Sequence, residues 1–108
     1  MKQVNEKDVQ NAVASIVYKN LFGLTRPEFI AKAKEVAGGN WGFVPHDGNE
    51  DEMARDWLSS EALKVLADTE NIIHMALFLA RPKIKSIEDV LVVVNKHSEG
   101  KTVSQIWY

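Results

Sequence analysis

Gly23 and Thr25 stand two residues apart, and between them the chain must stop one helix and start another. Upstream, Val9, Val13, Ile16, Val17 and Leu21 recur at helical spacing. Asn5 is placed to cap that helix, with Asp8 three residues on and with Val4 and Val9 positioned for a hydrophobic staple. Gly23 ends it, because the residue after a helix favours the left-handed conformation that glycine adopts without penalty. Thr25-Arg-Pro-Glu28 then spells a capping box, with proline in the first turn where its missing N–H costs nothing. Phe29, Ile30, Ala33, Val36 and Ala37 follow, and Gly38-Gly39 close the second helix. So short a link predicts a packed helical hairpin.

Helical period resumes with Met53, Trp57 and Leu58, and Ser59 or Ser60 is placed to cap a new helix. From Glu61 to Arg81 the pattern reads as one long helix, with a possible break near Asp68-Thr69-Glu70. Its second half, NIIHMALFLA, is apolar on nearly every side, which predicts a helix in the middle of the bundle. Pro82 forbids its continuation. Ser86-Ile-Glu-Asp89 reads as another capping box, and Gly100 as the stop of that helix. Against this, VLVVV and TVSQIWY are rich in strand formers, so a C-terminal β-hairpin over residues 90–108 is the alternative. With the helix formed, Thr102 to Tyr108 becomes a tail that carries Val103, Ile106 and Trp107 onto the core. The expected architecture is a single all-α domain, residues 1–108, with about five helices.

A chain of 108 residues can bury one core without staples. It has no cysteine, which excludes disulfides, a thiolate nucleophile and cysteine-ligated zinc. The polar start, MKQVNEKDVQ, is no signal peptide, and the longest apolar run, Ile72 to Ala80, is half of what a bilayer requires. A soluble, cytoplasmic protein that avoids membranes is expected. Net charge is −2, which does not favour nucleic acid as a partner. From Asp47 to Asp56 five acids face one base, giving the molecule an acidic focus.

That focus invites a calcium site. Asp47, Asn49 and Asp51 occupy the first three ligand positions of an EF-hand loop, but the required glycine is Glu52 and the required glutamate is Leu58. The acids read instead as a helix start favoured by the helix dipole, with Asn49 or Asp51 as its cap. No two of His46, His74 and His97 stand four apart on a helix, so no zinc pair is present; His74 reads as a packed histidine. There is no nucleophile elbow, and GGNWG lacks both phosphate-loop patterns. Neither a cofactor nor a metal is called for, and catalysis is not expected.

Three readings follow. Lys83, Lys85, Lys96 and Lys101 are a basic set, and KTVSQIW resembles the recognition helix of helix-turn-helix regulators. It departs from that pattern where Val93 stands for the small residue and His97 for the turn glycine. A DNA-binding regulator is therefore the second reading, and an accessory subunit of an enzyme the third. The first reading is a protein-binding inhibitor of immunity- or antitoxin-like type. Trp41, Phe43, His46, Asp47, Glu50, Asp51 and Glu52 would dock a partner with a basic surface, such as a nuclease toxin. Trp41 and Phe43 read first as a plug over the helical hairpin, with exposed anchors as the alternative.

Overall fold

The computed structural model describes residues 4–38 and 50–108. Among the described residues five helices follow one another: α1 (Glu6–Phe22), α2 (Arg26–Val36), α3 (Glu50–Arg55), α4 (Ser60–Ala80) and α5 (Ile87–Ser98). A 3-10 turn, Arg81–Lys83, separates α4 from α5. The protein is an all-α bundle. The C-terminal hairpin is not formed; among the described residues the only strand-like pairing is one antiparallel bridge between Leu58 and Trp107.

The helix ends follow local chemistry. Asn5 caps α1 by accepting from the Lys7 N–H at 2.8 Å, and Gly23 ends it in the left-handed region at φ 72°. The Thr25 hydroxyl accepts from the Glu28 N–H, and the Glu28 carboxylate accepts from the Thr25 N–H at 3.0 Å, so the capping box is complete. The Thr25 N–H, and after it the Thr25 hydroxyl donating to Glu28 Oε1 at 2.9 Å, hold the Glu28 carboxyl below its ordinary range. Ser59 caps α4 through the Ala62 N–H. α4 is unbroken, and Thr69 at the suspected interruption is buried within it. The Ser86 box is not made: Ser86 accepts no capping bond, and Asp89 instead accepts from the Lys85 N–H at 2.9 Å.

The helix at the centre is α1, which packs on α2, α4 and most extensively α5. Val13, Val17, Tyr18, Leu21 and Phe22 are its buried positions. Against them lie Phe29 of α2, Leu66 and Ile73 of α4, and Val90 and Val94 of α5. Phe29 forms an aromatic stack with Tyr18, centroids 4.3 Å apart, and meets Phe22 and Trp107 at 5.6 and 5.3 Å. Asn20 ties α1 to α5, donating to Ser98 Oγ at 2.7 Å and Asn95 Oδ1 at 3.1 Å.

Residues after Gly100 form an extended tail stitched across the bundle. The Val103 N–H donates to the Leu21 carbonyl, and the Ser59 N–H to the Ile106 carbonyl, each at 2.8 Å. Ser59 Oγ also donates to the Gln105 carbonyl at 2.7 Å. Val103 is buried, and Ile106 and Trp107 pack on the core. KTVSQIW is thus a strap and not a recognition helix, because its backbone groups and apolar side chains are spent on the fold.

Candidate protein-binding face

Every third or fourth residue of α4 returns to the same side of the helix. Ala62, Leu66, Thr69 and Ile73 form the buried side, with Leu77 packed against the core beyond them. The opposite side changes character halfway along. Its first half carries exposed Glu61, Lys64, Asp68 and Asn71, an ordinary solvent face. Its second half carries Ile72, Met75, Phe78 and Leu79, which are 44%, 62%, 62% and 72% exposed.

The expectation that NIIHMALFLA lies mid-bundle is therefore corrected. α4 packs on α5 and α1 along one side only, and nothing among the described residues covers the other. His74 is exposed, beside Phe78 one turn on, and is not a packed histidine. Arg81 lies over the Phe78 ring, its guanidinium carbon 5.0 Å from the centroid, and edges the apolar area with charge. On the side of Ile72 the area runs into a groove of about 460 Å³ lined by Val65, Thr69, Ile72, Lys101 and Val103 among others. Large apolar side chains of this kind stabilise a complex by about 1.5–3 kcal/mol each when fully buried. Left in water, that free energy is available to a partner.

The acidic helix start is built differently from its sequence reading. Asp51 is not a free carboxylate: both its oxygens accept from Arg26 Nε, at 3.0 and 2.9 Å, fastening α3 to α2. Glu50, Glu52 and Asp56 remain exposed. Trp41, Phe43, His46 and Asp47, and Asn49 as a possible cap, lie outside the described residues. Glu50 and Arg26 line a cleft of about 570 Å³ with Asn11, Ser15, Pro27, Ile30 and Ala31. Arg26 is already engaged there by Asp51, and no carboxyl in that cleft is desolvated in the way a general acid requires.

Arg55 makes the second tie. Its two terminal nitrogens donate to the two Glu70 oxygens, at 3.0 and 2.6 Å, a bidentate pair joining α3 to α4. Its Nε donates to Tyr18 Oη at 3.2 Å, reaching α1. Burial pushes the Tyr18 phenol above its ordinary range, although Arg55 pulls the other way. Burial alone would lower Arg55, but Tyr18 and Glu70 outweigh it and hold the guanidinium higher than usual. The arrangement is a structural clamp.

Tyr18 has a pH consequence. The unfolded phenol ionises near pH 10, before the folded one, so alkali favours unfolding. The Tyr18 contribution should be level below pH 10 and fall as pH rises beyond it. Tyr108→Phe leaves Tyr18 as the sole tyrosine, and its phenolate absorbance should appear above the free-tyrosine range. Titration at or below pH 10 would contradict its burial.

The four lysines flank α5. All are exposed, and Lys83 and Lys85 precede α5 while Lys96 and Lys101 lie at its far end. A helix of 12 residues separates the two pairs by about 17 Å. No group of three metal-ligating side chains exists among the described residues. No helix among them is long and apolar enough to cross a membrane. Comparison with protein-family models, curated proteins and solved structures returns no match.

Ile72, Met75, Phe78 and Leu79 were not singled out by sequence reasoning. The available signal was a helix apolar on all sides in a chain of 108 residues, too small to surround one completely while filling the rest of its core.

Proposed function

We propose that this domain is a non-catalytic binding protein that docks a protein partner on the outer face of the second half of α4. The observation that carries the reading is the exposure of Ile72, Met75, Phe78 and Leu79 together on one helical face. At about 200 Å² for a large side chain, they present on the order of 500 Å² of apolar surface. Patches of that size are at the upper end for a monomer and are commonly functional. A large aromatic anchor edged by an arginine is the usual make-up of an interface hot spot.

The inhibitory reading, occlusion of a basic partner in immunity- or antitoxin-like fashion, places docking on α3 instead. What supports it is the exposure of Glu50, Glu52 and Asp56. Asp51 contributes less charge to it than the sequence suggested, because Arg26 neutralises it.

A photo-crosslinking residue separates the two faces. Placed at Phe78 in the chain expressed in its own host, it should yield a discrete adduct of defined mass. The same residue at Glu52 should yield little. Adducts from position 52 alone would move the docking site to α3, and absence of any adduct from 78 would end the α4 reading.

A further inference from the structure

The apolar face of α4 is bracketed by charge of opposite sign. On its N-terminal side stands Asp68, aligned with Ile72, Met75 and Leu79 on the same face. On its C-terminal side stand Arg81 and Lys83, both exposed. None of these three belongs to an ion pair among the described residues. A surface that is apolar in the middle, acidic at one end and basic at the other is complementary to itself when turned end for end.

Resting on the reading of α4 as the docking face, we propose that its occupant is a second copy of this chain, the two α4 helices lying antiparallel about a two-fold axis near Met75 and Ala76. In that register Ile72 of each copy meets Leu79 of the other, and the two Met75 side chains meet at the axis. Asp68 comes opposite the turn after α4 that carries Arg81 and Lys83. The parallel alternative sets Lys83 against Lys83 and Asp68 against Asp68, so charge selects the antiparallel pair. Antiparallel helix dipoles oppose one another favourably as well. An isologous contact uses the same patch twice. It doubles the apolar surface to on the order of 1,000 Å², the threshold that a biological interface has to reach.

Sedimentation equilibrium of the full chain, from about 1 to 200 μM, tests this. The unmodified chain should show a reversible monomer–dimer equilibrium. Met75→Glu/Phe78→Glu should weaken it by about 100-fold or more, since both substitutions put charge into the apolar centre. Asp68→Lys alone and Lys83→Asp alone should each weaken it by about 10-fold, by setting like charges opposite one another. The double exchange Asp68→Lys/Lys83→Asp should return the affinity to within about threefold of the original, which a merely nearby charge would not do. A chain that stays monomeric at 200 μM overturns the proposal, as does a dimer untouched by Met75→Glu/Phe78→Glu. A dimer that the double exchange does not rescue overturns the antiparallel register. A monomeric chain that still crosslinks another protein from position 78 refutes the second copy while leaving the docking face standing; the absence of both refutes the two together.

Discussion

Phe29→Ala should remove about 3–5 kcal/mol of stability, read as a large drop in the urea midpoint and a melting temperature lower by about 15 °C or more. Phe29 is fully buried and is the point where three parts of the chain meet: α2 that carries it, α1 through Tyr18 and Phe22, and the C-terminal strap through Trp107. Truncation leaves a cavity lined by three aromatic rings, which are too rigid to collapse into it. A domain of this size has about 5–15 kcal/mol in total, so the variant should sit near the edge of folding. Phe29→Leu keeps most of the volume and loses the ring contacts, and should cost about 1–2 kcal/mol. Equal losses for the two variants would mean that stacking and volume do not account for the site.

Arg55→Met is the second large effect, at about 2–4 kcal/mol. The substitution keeps much of the side-chain volume but strands the Glu70 carboxylate, whose side chain is only 17% exposed. Breaking a largely buried pair costs far more than the pair's own net contribution, because the remaining charge has lost its partner. Arg55 also leaves the Tyr18 hydroxyl without its donor. Arg55→Met/Glu70→Met should therefore lose less than Arg55→Met alone, an inversion that urea denaturation of the three proteins will reveal. If the double variant is the weaker, the clamp contributes by attraction and not by mutual compensation. Arg26→Met is a natural comparison: its pair with Asp51 is about as exposed but is held through one nitrogen and not two, so its loss should cost less than that of Arg55→Met.

Helix ends were the most legible part of the chain. Asn5, Thr25 with Glu28, Ser59 and Gly23 each act through bonds within a few residues, so their spacing carries the whole signal. Ser86 shows the limit of that logic. The residues of a capping box are present, yet Asp89 bonds one residue earlier, to the Lys85 N–H. The β-branched run Val92 to Val94 pulled towards a strand, but Val90 and Val94 lie one turn apart facing α1, and that packing decides for helix.

Long-range pairings were not legible. Arg55 with Glu70 and Arg26 with Asp51 join different helices, and no spacing rule links them. The acid cluster accordingly looked uniform in sequence, whereas one of its members is bound and others are exposed. α4 shows the other gap. Hydrophobicity states that a side chain gains from leaving water, but not whether its own chain or another molecule supplies the cover. NIIHMALFLA satisfies both descriptions until the neighbours of α4 are known.

Whether the outer half of α4 serves binding and not folding is read by urea unfolding of Met75→Ser/Phe78→Ser at sub-micromolar concentration. At that dilution association is suppressed, and only the fold of the single chain is read. For a binding face, stability should stay within about 1 kcal/mol of the unmodified chain, most of that from the lost stacking of Arg81 on Phe78. A loss of about 3 kcal/mol or more, the signature of removing core side chains, would contradict it.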